Sequence, residues 1–150
     1  MADMFKHYNI TSSGMEAQKF RVDIINTNIA NAKTVMTENG EGPYKRRDVV
    51  FKEQYLNAEN KHTMQENYNL KKENLKGVAV DTLFVDESYK LVYEPSNPYA
   101  DEKGYVKYPN INVIKETSDL IDSQRAYEAN VNAYKNRKNI DILTINLLKN

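Results

Sequence analysis

The chain has 150 residues, 21 of them basic and 21 acidic, so its formal net charge is zero; a dedicated nucleic-acid binder normally carries a basic excess. Cysteine is absent, which excludes disulfides, thiolate metal sites and cysteine nucleophiles. No stretch reaches the roughly 18 apolar residues of a membrane span, and MADMFKHYNITSSGM lacks the apolar segment of a secretory signal. The expectation is a soluble chain that leaves the cytoplasm, if it does, without a cleaved signal.

Ser13-Gly14-Met15-Glu16 has the form of a capping box, with Ser13 as N-cap. It predicts a helix from about Gly14 to Lys33, roughly 30 Å long. Met15, Val22, Ile25, Ile29 and Ala32 form its apolar stripe, interrupted by Gln18. The end of this helix is unusual. Asn26 to Thr34 reads NTNIANAKT, three Asn and two Thr, residues whose side chains compete with the helix for backbone partners.

Two Gly and a Pro between Thr37 and Pro43 break the pattern. Tyr44 to Phe51 reads as a strand. Tyr55 to Lys76 is polar and without a clear period, as expected of a loop or weakly ordered segment. Strand signals return at Gly77–Val80, Leu83–Val85 and Tyr89–Tyr93, with Asp86-Glu87-Ser88 as a hairpin turn between the last two. Pro95–Pro98 and Asp101–Gly104 are turns, and Pro109 closes the region.

Asn112 is the predicted N-cap of a final helix, with Glu116 in its first turn. One stripe runs through Thr117, Leu120, Gln124, Tyr127, Val131, Tyr134, Ile145 and Leu148. A second runs through Ala126, Ala129, Ala133, Ile140, Leu143 and Leu147. About 37 residues of helix would span roughly 55 Å, whereas a compact chain of this size is about 38 Å across. Either the helix overhangs and its apolar face finds partners, or it kinks near Asn136–Asn139 and folds over one core.

Candidate chemistry is sparse. His7 and His62 are the only histidines, each without a nearby ligand partner, and no acidic run matches a calcium loop. Asp101–Gly104 contains a DxxG but no phosphate-binding loop accompanies it. Lys45-Arg46-Arg47 fits a solvated strand edge or inter-subunit ion pairs. Ser12 and Ser13 have no His partner at a recognisable spacing. The residues therefore point away from an enzyme, with no cofactor and no metal.

Several of these stretches resemble one family. Asn28-Ile29-Ala30-Asn31-Ala32-Lys33-Thr34, preceded by Ser13-Gly14-Met15-Glu16-Ala17-Gln18, looks like the N-terminal signature of bacterial flagellar rod and hook axial proteins. Gly42-Pro43-Tyr44-Lys45-Arg46-Arg47-Asp48-Val49-Val50-Phe51 narrows the match to proximal-rod members. So do the run from Leu91 to Val113 and the helical Arg125-Ala126-Tyr127-Glu128-Ala129-Asn130-Val131. The segment from Asn57 to Lys76 does not match, and Lys135–Asn150 matches in apolar periodicity alone.

The resemblance implies an α+β fold in three parts. An N-terminal helix (1–36) and a long C-terminal helix (113–150) would pair as a coiled-coil-like inner rod layer, with a small β-rich and loop region (37–112) outside it. It implies a non-enzymatic building block of the flagellar basal body, homo- and hetero-assembled in the rod that crosses the periplasm. The implied partners are other rod subunits, the rod-base adaptor, the membrane ring and, during secretion, the type III export apparatus. Nucleic acid and a membrane span are not among them.

The candidate assembly residues are Met15, Val22, Ile25, Asn28, Ile29, Asn31, Thr34, Arg125, Tyr127, Asn130, Val131, Tyr134, Ile145 and Leu148. Asn28 and Asn31 are expected to bond across a helix–helix or subunit boundary, as a polar core position fixes register in a coiled coil. The alternative is a free-standing α+β interaction or ligand-binding module. Its terminal helices would pack on its own sheet, and Tyr89, Tyr93, Tyr99 and Tyr105 would line a concave site.

Overall fold

Two long helices lie antiparallel, and the described residues between them include four strands. A computed structural model describes residues 2–38, 40, 42–55 and 76–148, with the side chains of 2–7, 55 and 76 left aside. In chain order the elements are α1 (Ala2–Ala30), β1 (Arg46–Tyr55), β2 (Lys76–Asp86), β3 (Tyr89–Tyr93), β4 (Tyr105–Pro109) and α2 (Val113–Leu148). Of the stretch expected as a loop, Tyr55 and Lys76 are instead the ends of β1 and β2, and residues 56–75, with His62, lie outside the described residues, as does the side chain of His7. The α+β class holds.

Helix α1 begins twelve residues before Gly14, so Ser13 is not an N-cap. Its Oγ donates to the Ile10 carbonyl at 2.8 Å, and Thr11 Oγ1 donates to that of Tyr8 at 3.1 Å. These are back-bonds inside a continuing helix. What extends the helix is tertiary. Tyr8 stacks edge-on to Tyr134 of α2 with centroids 4.9 Å apart, and its hydroxyl donates to Asp141 Oδ2 at 2.7 Å.

At the other end α1 stops at Ala30, three residues short of the expected Lys33. The Thr34 amide bonds the Asn31 carbonyl at 3.1 Å, and the Thr34 carbonyl accepts from Tyr44 N at 3.1 Å. Chain exit from the helix is thereby tied to the start of the β region.

Strands β1 and β2 form an antiparallel ribbon from Arg46↔Asp86 to Tyr55↔Lys76. The two strand signals at 77–80 and 83–85 are one strand. Val50 pairs with Thr82 and Phe51 with Val80, which leaves Asp81 as the extra residue of a bulge. That bulge is why the alternation looked interrupted. Asp81 pairs instead with Lys52, whose ammonium holds its carboxyl below the ordinary range.

Asp86–Ser88 does not close a hairpin between β2 and β3, because β2 pairs with β1 and β3 with β4. Asp86 Oδ1 accepts from the Ser88 amide at 2.9 Å, and this turn passes the chain from one ribbon to the next. The second ribbon runs from Tyr89↔Pro109 to Tyr93↔Tyr105. Its β4 was not expected. Gly104 precedes it at φ 79°, where a Cβ would lie 3.0 Å from the Tyr93 ring and 3.2 Å from Pro95.

Asn112 caps α2 as expected: its Oδ1 accepts from Ile114 N at 3.1 Å and Lys115 N at 3.4 Å. The 36-residue helix continues through Asn136–Asn139, so the alternative of two shorter helices is not what forms.

The helices meet at three levels. Tyr8 meets Asp141; a Cβ on Gly14 would lie 3.1 Å from the Asn130 side chain; and Asn28 meets Glu116. Fourteen residues separate the last two levels on each helix, the mark of one antiparallel register. Buried apolar side chains are few, with Ala17 and Ile25 on α1, Val49 and Tyr44 at the first ribbon, and Val106 and Ile111 near the second. A two-stranded ribbon is marginal alone, and the first one leans on α1 through Arg21, whose Nη2 donates to Val49 O at 3.3 Å and whose guanidinium lies 4.0 Å over Phe51.

Candidate assembly interface

Asn28, near the end of α1, is fully buried. Its Nδ2 donates to the Arg47 carbonyl at 2.7 Å and to Glu116 Oε2 at 3.0 Å. Its Oδ1 accepts from the Arg47 amide at 3.0 Å and the Tyr44 hydroxyl at 3.1 Å. Every hydrogen-bonding position of the amide is filled. Toward Arg47 the side chain presents a donor and an acceptor together, as a neighbouring strand would.

Glu116, in the first turn of α2, is 1% exposed. Its Oε1 accepts from Arg46 Nε at 2.8 Å, and Arg46 also reaches Asp48 at 3.1 Å. Burial works against the Arg46 charge, but its two carboxylate partners outweigh that and raise its pKa. Burial likewise pushes the Tyr44 phenol up, opposed by the Arg47 guanidinium 5.8 Å from its ring. Tyr44 therefore stays a neutral donor. The buried carboxylate and amide and the half-buried guanidinium form one satisfied network joining α1, β1 and α2.

Beyond this joint the chain leaves much apolar surface open. Ile140, Ile142, Leu143, Ile145, Leu147 and Leu148 are all exposed along the last turns of α2, Leu147 and Leu148 by 77% and 82%. Strand β3 is exposed at every position. Monomeric proteins rarely leave this many large apolar side chains together in solvent.

The sequence-derived candidates fall into three groups. Ile25 and Asn28 are buried at the joint, with Met15, Val22 and Ile29 half-buried along the same helix. On α2, Asn130 and Val131 are half-buried, Asn130 against Gly14, while Tyr134 meets Tyr8. Arg125, Tyr127, Ile145 and Leu148 are exposed.

Asn31 departs from its expectation within the chain: its Nδ2 donates to Thr27 O at 2.9 Å, and its Oδ1 accepts from Thr34 Oγ1 at 3.2 Å. It ties off its own helix end, together with Thr34: the Thr27 carbonyl, which already accepts from the Asn31 backbone amide at 3.1 Å, takes the side-chain amide as a second donor just past Ala30, where α1 stops. Of the four tyrosines of the alternative site, Tyr93 and Tyr105 pack edge to face at 5.3 Å, and all four remain exposed.

Sequence reading missed the partners of Asn28. In the sequence Glu116 fits a helix-dipole residue and Arg46 a solvated edge or inter-subunit ion pairs, whereas within the chain the buried Glu116 pairs with a half-buried Arg46. Among the described residues no three His, Asp or Glu side chains gather to hold a metal ion. No described helix is long and apolar enough to cross a membrane.

A helical pair formed by the two ends of a chain, with a small β region between and large apolar side chains left open, is the architecture of a structural protein with surfaces left for partners. Residues 102–141 match the family model described as the flagellar basal body rod FlgEFG protein C-terminal region. The chain is 37% identical to the flagellar basal-body rod protein FlgC of Borreliella burgdorferi, over 91% of this chain and 92% of the relative. It is 36% identical to those of Aquifex aeolicus (93% of each chain) and Bacillus subtilis (86% and 87%). The chain belongs to the FlgC family of flagellar basal-body rod proteins, structural components of the rod.

Proposed function

We propose that the chain is a subunit of the proximal rod, assembled helically with copies of itself and with other rod proteins so that torque passes through it. The α1–α2 pair forms the inner layer, and the region between residues 37 and 112 lies outside it. The observation that carries this reading is the open apolar face at the end of α2, from Ile140 to Leu148, in a chain of the rod family. Contacts between unlike faces repeat without closing and generate a helix of subunits.

On the same reading the candidate residues Arg125, Tyr127, Ile145 and Leu148 face neighbouring subunits. The neighbours are other rod proteins, the adaptor at the rod base and the surrounding membrane ring. Export runs through the flagellar type III apparatus without a cleaved signal, into the part of the rod that crosses the periplasm.

Basal bodies purified from cells making an epitope-tagged chain test this. The tagged chain is expected in the rod fraction, with motility lost when its gene is deleted. A chain that stays in the cytoplasm of motile cells would contradict it.

A further inference from the structure

We propose that Asn28, Arg46 and Glu116 are positioning residues of a coupling joint, which seats the β1–β2 ribbon on α1 only when α2 is in register. The joint draws on three elements at once. Asn28 occupies the outer edge of β1 at Arg47, bonding both its amide and its carbonyl. The same amide nitrogen holds Glu116 of α2 at 3.0 Å, and Arg46, the first residue of β1, closes the triangle at 2.8 Å.

A displacement of four residues along α1 breaks this arrangement. A slip of one turn along α1 would put Ile24 or Ala32 where Asn28 stands, against a carboxylate that is 1% exposed. A buried charge left without its partner is strongly destabilising. Apolar packing does little to fix the register, since Ala17 and Ile25 are the buried apolar residues of the helix pair among those described, whereas the side chains most deeply buried in it are Asn28 and Glu116. The polar triangle therefore sets it, and a force on the ribbon is passed to both helices together. This inference concerns the single chain and does not depend on where in the rod the chain sits.

The far end of the ribbon supplies an independent reporter. Ser13 Oγ accepts from the Val78 amide of β2 at 3.1 Å, and Ser13 lies fifteen residues from Asn28, roughly 22 Å along α1. The chain has no native cysteine, so Ser13→Cys with Val78→Cys reports ribbon seating alone. Glu116→Gln touches neither residue. Either orientation of the new amide faces its NH2 against a donor, Arg46 Nε or Asn28 Nδ2.

In the full-length chain the rate of disulfide formation between the two cysteines is expected to fall about fivefold or more in Glu116→Gln, the scale of one lost buried hydrogen bond. Asp141→Asn, which disturbs the Tyr8 end of the helix pair, should leave the rate within about twofold. Glu116→Asp keeps the charge, withdraws it by one methylene and covers the case in which Glu116→Gln does not fold; a drop of about twofold or more there supports the joint. The proposal is overturned by an unchanged rate in Glu116→Asp and in any folded Glu116→Gln, by an equal loss in Asp141→Asn, or by no disulfide in the parent pair.

Discussion

Asn28 Nδ2 stands 3.0 Å from Glu116 Oε2 across 88 residues of chain, and that bond joins the end of one terminal helix to the start of the other. Its consequence for stability is direct. Asn28→Ala strips four hydrogen bonds and leaves the Tyr44 hydroxyl, the Arg47 backbone groups and one oxygen of Glu116 without that partner in a largely buried site. A loss of about 2–4 kcal/mol is expected in chemical denaturation of the full chain. A loss under about 0.5 kcal/mol, the range of surface substitutions, would show that the joint is not closed in solution.

Gly14 allows the helices to approach at Asn130. Gly14→Leu is expected to cost about 1–3 kcal/mol by overpacking, and removing the opposing side chain with Asn130→Ala should recover a large part of it. The double variant no more stable than the single one would place the close approach elsewhere.

Tyr8 gives the helix pair a dependence on alkaline pH. Its hydrogen bond to Asp141, then burial and the Asp141 charge, raise the phenol above its ordinary value. The folded state thus favours the neutral phenol. This contribution is fully present below the unfolded pKa of about 10 and is lost as pH rises through the higher folded value. Tyr8→Phe should remove that part of the alkaline slope in a denaturation series; an identical slope would contradict the contact.

Glu94 works in the opposite sense on the β3–β4 ribbon. Hydrogen bonds from Asn97 at 3.0 Å and Tyr108 at 2.9 Å hold its carboxyl below the ordinary range. The stabilisation is present above the unfolded pKa of about 4.3 and disappears as pH falls through the lower folded value. An NMR titration should find the Glu94 midpoint below that of a free glutamate and moved upward by Asn97→Ala. A midpoint at the free value would rule the bond out.

Leu143→Asp and Leu147→Asp separate folding from assembly. Both side chains are exposed, by 62% and 77%, so each change should alter the stability of the isolated chain by less than about 0.5 kcal/mol. Motility of cells carrying either variant should nevertheless fall, because a charge cannot be buried unpaired at a subunit contact. Full motility would mean that this face of α2 stays in water.

The long helices were legible because their signals are local and repeated. The period of α2 runs for ten turns and Asn112 marks its start. The first twelve residues of α1 were hidden by Ser13 and Glu16, whose spacing imitates a helix start inside a helix that Tyr8 and Asp141 extend from a distance. Strand β4 is five residues long, ends in Pro109 and is bordered by turn residues on both sides, too short for its alternation to stand out. The bulge at Asp81 split one strand into two apparent ones.

The same contrast holds at the site. The amides of NTNIANAKT stood out as poor helix chemistry, and Asn28 does bond another helix. Asn31, three residues further on, lies past the end of α1 and serves it as a cap. That Glu116 and Arg46 would be the partners of Asn28 left no trace in spacing, since all three come together only once both helices and the first ribbon are in place.

The central claim, that this chain is a rod subunit whose terminal helices carry the assembly contacts, is tested most directly by an image of the assembled rod with the chain traced. The expected result is α1 and α2 paired through Asn28 and Glu116 in the inner layer, with Ile140 to Leu148 covered by neighbouring subunits. A rod in which those residues face open solvent, or in which the two helices of one chain lie apart, would contradict it.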